Sequence, residues 1–134
     1  MPIPLVLRNL MVAALVTGAA YLVFLGNRSD YLGHYLAGFG ATLLLLCILV
    51  WFRKDGLGWN ALVVTALAIA MGFVTESSIF RFAFFDPVDF CNQSIGACVA
   101  CACVLGTAPR RALLIRLGIA SLVLLAGGFV FAFA

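Results

Sequence analysis

The sequence predicts an all-α bundle of five transmembrane helices, and three observations predict it. Of 134 residues, 66% are hydrophobic and only 10% are charged, against roughly 25% charged in soluble domains. A soluble domain this small needs polar residues to cover its large relative surface, and this chain has too few. The charged residues also divide the chain at regular intervals. Arg8 and Arg28 bracket 19 uncharged residues, Asp30 and Arg53 bracket 22, Asp55 and Glu76 bracket 20, Asp89 and Arg110 bracket 20, and 18 follow Arg116. A bilayer core of about 30 Å needs roughly 20 apolar helical residues. Finally, the apolar runs are continuous and do not alternate, which argues against barrel strands. Disorder and nucleic-acid binding are excluded by the scarcity of charge.

The first span covers about residues 5–26. Its apolar stretch is long for a signal peptide and the cleavage pattern at Gly18-Ala19-Ala20 is poor, so it is read as a retained helix. The second covers 31–52, after the turn Gly26-Asn27-Arg28-Ser29-Asp30, with Ser29 or Asp30 as its cap. The third covers 58–80, after Arg53-Lys54-Asp55-Gly56. The fourth covers 88–106, with Pro87 in its first turn and Asp86 as cap. The fifth covers 112–133, after Thr107-Ala108-Pro109-Arg110. The whole chain, 1–134, reads as one transmembrane domain without a soluble part or a repeat.

Five spans assign the loops to two faces. The N-terminus and the loops after helices 2 and 4 carry Arg8, Arg53, Lys54, Arg110, Arg111 and Arg116, which is six of the eight basic residues. The positive-inside rule then gives N-in/C-out. The acids fall on the other face: Asp30, Glu76, Asp86 and Asp89 lie there, and only Asp55 does not. The sole histidine, His34, is one turn into helix 2 from that same outer end.

Residues 76–96 concentrate the polar chemistry. Asp89, Asn92 and Gly96 are spaced i, i+3, i+7 and share a helical face, with Gln93 beside them. Three helices thus deliver His34, Glu76, Asp89 and Asn92 to one half-desolvated site, and Arg81 in the loop offsets the acidic charge. Ionisable residues in a membrane are expensive and by default mark a functional site. A carboxylate with a histidine can act in acid–base work, bind a cation or hold a polar headgroup. Each residue also has a structural reading: Asp86 and Asp89 as caps on the dipole of helix 4, Glu76 and Arg81 as a headgroup-level ion pair, Asn92 as a link between helices.

The string His34-Tyr35-Leu36-Ala37-Gly38-Phe39, then Glu76, Arg81, and Asp86-x-x-Asp89-x-x-Asn92-x-x-x-Gly96-Ala97 resembles the VanZ-like family of small integral membrane proteins. The order and helix positions match from about residue 30 to 105, with two departures: Ser78 and Ile79 stand where the family usually has a glutamine shortly after the Glu, and the Arg81-to-Asp89 spacing is longer than the family's. The resemblance implies a multi-helix bundle of the bacterial inner membrane whose outer polar pocket is lined by His34, Glu76, Arg81, Asp86, Asp89 and Asn92. The family's name member is linked to resistance to the glycopeptide teicoplanin. The expected partners are membrane lipids and a lipid-linked or cell-envelope ligand, with no nucleic acid. No nucleophile is paired with a base in a familiar way, so catalysis stays open. A different reading is a small accessory subunit of a larger membrane complex. A transporter subunit ranks last, because the intramembrane charge is confined to one face.

The five cysteines are Cys47, Cys91, Cys98, Cys101 and Cys103. Cys98-x-x-Cys101-x-Cys103 has a metal-like spacing but no second ligand pair, and buried cysteine packs as a small apolar residue. Packing is expected, with no metal and no cofactor. Gly33, Ala37 and Ala41 in helix 2, and Gly96 and Ala100 in helix 4, form small-residue stripes suited to close helix contacts. Tyr21, Trp51 and Trp59 sit near the span ends or within a turn or two of them, Trp51 and Trp59 suit an aromatic belt, and Phe80, Phe82, Phe84, Phe85 and Phe90 surround the outer loop.

Overall fold

Unbroken apolar runs with short polar turns leave the backbone one way to satisfy its hydrogen bonds in lipid, within each helix. The computed structural model describes residues 4–26, 28–53, 57–79, 85–105, 107 and 110–133. They form α1 (Leu5–Phe24), α2 (Ser29–Arg53), α3 (Leu57–Val74), α4 (Pro87–Val104) and α5 (Arg111–Ala132). A π-helical turn, Thr75–Ile79, extends α3. All five helices are long and apolar enough to cross a membrane. The chain is an integral membrane protein of five helices, with no strand among the described residues.

The boundaries fall within a few residues of the expected ones, and the caps explain two of them. Asp86 Oδ1 accepts from the backbone N–H of Val88 at 2.8 Å and of Asp89 at 3.4 Å, with Pro87 in the first turn of α4. α2 begins at Ser29, so neither Ser29 nor Asp30 precedes the helix as its cap; the Asp30 carboxylate pairs with Arg28 at 2.9 Å instead. Two backbone bonds, Arg28 N–H to Leu25 O and Tyr31 N–H to Arg28 O, tighten the α1–α2 turn. Asp55 and Lys54 lie outside the described residues.

Helix α2 is the centre of the bundle. It packs most extensively on α5 and α4, while α3 lies against α4 and α2, and α1 touches α2 and α4 more sparsely. The approach of α2 to its two main neighbours is set by glycine. A Cβ on Gly96 would run into the Tyr35 carbonyl and sit 2.8 Å from the Phe39 nitrogen, and one on Gly38 would run into the Gln93 carbonyl. On the other side of α2, a Cβ on Gly40 would lie 2.6 Å from Leu125 N, and one on Gly128 would lie 2.6 Å from Ala37 N. Backbones this close gain dispersion contacts, the main attraction between helices in lipid. The expected α2 stripe faces α5, through Gly33 and Ala37, whereas α4 is met through Gly38, which lies outside that stripe.

The two ends of the bundle differ. At the end where α1 starts, Val6, Leu10, Leu43, Leu46, Cys47, Val50, Ala61, Val64, Cys101, Val104, Leu114 and Leu117 form one apolar cluster. The buried polar group at that end, Asn60, is uncharged, whereas at the other end charged side chains enter the packing. Hydroxyls along the helices mostly bond back to their own backbone, as Thr65 does to Ala61 O at 2.7 Å and Ser121 to Gly118 O at 2.7 Å. That pattern satisfies a polar group without a partner helix.

Candidate functional site

The site is built where α2 and α4 begin and α3 ends. His34 lies one turn into α2, Asp89 in the first turn of α4, and Glu76 in the π turn. The π turn adds a residue to the turn after Gly72, a widening often found at functional sites. Gly72 is buried against the Gln93 side chain of α4, and Glu76, one turn on, faces the same seam. Thr75 Oγ1 and Ser77 Oγ bond the carbonyls of Gly72 and Val74 at 2.9 and 3.2 Å, taking up acceptors at the irregular helix end.

His34 stands between two carboxylates. Its Nδ1 is 3.7 Å from Glu76 Oε1 and its Nε2 is 3.4 Å from Asp89 Oδ2. All three side chains are largely buried, at 24%, 11% and 17% exposure. Only the doubly protonated ring presents an N–H to each carboxylate. In that form the trio carries one net negative charge, held by three different helical segments. The distances leave room for the contacts to tighten when a ligand or a proton arrives, as apo sites commonly do.

Asp89 continues the site one turn deeper. Its Oδ1 is buried without a hydrogen-bond partner, and so is Nδ2 of Asn92, three residues on along the same face. The Asn92 Oδ1 accepts from the Tyr21 hydroxyl of α1 at 2.6 Å. The Tyr21 ring also stacks on Tyr35 of α2, with centroids 5.3 Å apart, and Tyr35 continues the stack to Phe39 at 6.0 Å. Three rings, Phe73, Phe85 and Phe90, brace α3 against the start of α4 with centroids 5.5–6.0 Å apart.

Of the residues expected to line a pocket, the structure brings His34, Glu76 and Asp89 together, with Asn92 below Asp89. Asp86 sits at the same end, but one of its oxygens caps α4. Arg81, Phe80, Phe82 and Phe84 lie outside the described residues. Sequence reasoning missed two participants. Arg28 lies within electrostatic reach of Asp89, pairs with Asp30 at 2.9 Å, and covers the Tyr31 ring at 3.8 Å. The hydrogen bond to Asp30 holds the Arg28 guanidinium protonated more firmly than usual. Tyr21 is the other, and the hairpin carried a signal for it. Residues 21 and 35 are equidistant from Arg28, so an antiparallel α1–α2 pair sets them at one depth.

The cysteines are all free. Cys47 and Cys101 are buried in the apolar cluster, Cys103 is half-buried against it, and Cys91 and Cys98 are exposed. Among the described residues no group of three His, Cys, Asp or Glu side chains is placed to hold a metal ion. No protein-family model, curated protein or solved structure matches the chain.

Proposed function

We propose that this chain is a VanZ-like protein of the bacterial inner membrane, N-in and C-out, that binds or processes a lipid-linked or cell-envelope ligand at its extracytoplasmic face. The role is of the glycopeptide-resistance type. The observation that carries the reading is the Glu76–His34–Asp89 trio, because it joins three helices around charges that a purely structural contact in lipid does not need. The order His34, Glu76, Asp89, Asn92, Gly96 supports the family assignment. The bias of six of the eight basic residues to the opposite face supports the orientation.

The trio can orient a polar headgroup by charge-assisted hydrogen bonds, or pass a proton to or from one through the imidazole. The test is teicoplanin susceptibility of a sensitive host expressing the chain. Resistance should rise with the wild type. It should be lost with His34→Ala, Glu76→Gln and Asp89→Asn at equal membrane abundance. Unchanged susceptibility with the wild type, or equal loss of abundance in all three variants, would remove the proposal.

A further inference from the structure

Helix α1 is the least embedded of the five, and it is held differently at its two ends. Only Val6 and Leu10 of α1 are buried, and both belong to the apolar cluster at the far end from the site. Toward the site, α1 meets α2 and α4 through polar and aromatic contacts. They are the Tyr21–Asn92 hydrogen bond, the Tyr21–Tyr35 stack, and Thr17 beside the Tyr35 hydroxyl. That hydroxyl is itself buried without a hydrogen bond of standard geometry.

Beneath this cover, Asn92 is 7% exposed, and its Nδ2 and Asp89 Oδ1 are both unpartnered. An unpartnered buried polar atom costs about 1–3 kcal/mol, and in the bilayer core no bulk water relieves it. One atom is a donor and the other an acceptor, a turn apart on one face of α4. A hydroxyl satisfies both at once, since it donates one bond and accepts others. An ammonium has donors only and leaves the Asn92 N–H unmet, and a quaternary choline serves neither. The surrounding carboxylates Asp30, Glu76, Asp86 and Asp89 outnumber Arg28 and His34 among the described residues, which disfavours an anionic group at this depth.

We infer that α1 is a side door latched by Tyr21, and that it covers a subsite on Asn92 and Asp89 for the hydroxyl-bearing head of a bilayer amphiphile. The inference rests on the reading of the trio as a ligand site, and adds the ligand's chemical class and its route. The amphiphile enters laterally between α1 and the α2–α4 pair. One of its hydroxyls accepts from Asn92 Nδ2 and donates to Asp89 Oδ1, a second donates to Asn92 Oδ1 in place of the Tyr21 hydroxyl, and its tail stays in lipid. The apolar end of α1, anchored through Val6 and Leu10, is the hinge.

The test reconstitutes the full chain in phosphatidylcholine nanodiscs doped with monoglucosyl diacylglycerol or with phosphatidylethanolamine. Retained lipid is counted by native mass spectrometry. The glucosyl lipid should be retained over the ethanolamine lipid. Tyr21→Phe keeps the ring stack and removes the latch bond, so it should raise retention about fivefold, the equivalent of one ordinary hydrogen bond. Asn92→Leu should lower it by about the same factor. Preference for the ethanolamine lipid overturns the assignment of a hydroxyl. Retention unmoved by Tyr21→Phe and Asn92→Leu but lost in Glu76→Gln overturns the latch and leaves the ligand site standing. Retention unmoved by all three overturns both.

Discussion

The two ends of the bundle solve the same packing problem with different chemistry. At the end where α1 starts, Leu43, Leu46, Val50, Val104 and Leu117 fill the space between helices, each at most 3% exposed. At the other end His34, Glu76, Asp89 and Asn92 occupy the equivalent interior, and two of their polar atoms are left without partners. In lipid an apolar interior is the less costly choice, because charged and polar groups need partners that the bilayer does not supply. Apolar packing and charged side chains are thus segregated along the bundle axis. Substitutions at the apolar end should change how much folded protein there is. Substitutions at the polar end should change what it holds.

The largest effect is expected at the glycine seam that joins both ends. Gly96→Ala sets a methyl against the Tyr35 carbonyl and the Phe39 nitrogen, which are backbone atoms that cannot turn aside. It should destabilise by about 3 kcal/mol or more, read as a fall in melting temperature and in membrane abundance. Gly18→Ala is its control, because nothing lies within 4 Å of the new methyl there. It should shift stability by less than about 0.5 kcal/mol. A severe effect at Gly18 and none at Gly96 would show that the close α2–α4 contact is not the source of stability.

Next comes Leu43→Ala, in the apolar cluster and fully buried. A loss of about 2–4 kcal/mol is expected from the cavity alone, with ligand retention per folded molecule unchanged. Glu76→Gln and Asp89→Asn should do the reverse. Each should leave the melting temperature within a few degrees, yet weaken ligand retention about tenfold or more through a lost charge-assisted contact. Matching losses of stability in both groups would erase the distinction between the ends. Asp86→Ala should be milder, costing about 1 kcal/mol through the lost cap on α4. Hydrogen exchange at Val88 and Asp89 reads it most directly.

The smallest effects are expected at the cysteines. Cys98→Ala, on an exposed face, should be within about 0.5 kcal/mol, and Cys101→Ala, in the apolar cluster, should cost about 1 kcal/mol. A strong loss accompanied by metal release would overturn the packing assignment and give the apolar end a chemistry of its own.

The five helices were legible in the sequence because charge spacing and continuous apolar runs are one-dimensional signals. The gathering of Glu76, Asp89 and His34 was legible for a related reason, since counting spans assigns every residue to a face before any packing is known. The Asp86-Pro87 start of α4 carried its own local chemistry. The π turn at 75–79 did not, because it is a compromise between the end of α3 and the seam with α4. The sequence places Tyr21 only near a span end, where a tyrosine is commonly an interfacial anchor. Its bond to Asn92 depends on how α1 leans on α4, which no local pattern records. That the Gly33–Ala37 stripe meets α5 while Gly38, outside the stripe, meets α4 is likewise a matter of which neighbour each face meets. Spacing alone gives the stripe but not the partners.

Gentle purification from native membranes tests whether the polar end holds a ligand while the apolar end holds the fold. Native mass spectrometry should compare the wild type with a Glu76→Gln, Asp89→Asn double variant. The wild type should arrive as a monomer or dimer carrying a lipid or envelope amphiphile, and the double variant should melt at nearly the same temperature but arrive empty. A stoichiometric set of larger subunits with no bound amphiphile would contradict it and make the chain an accessory component. So would an amphiphile retained equally by the double variant.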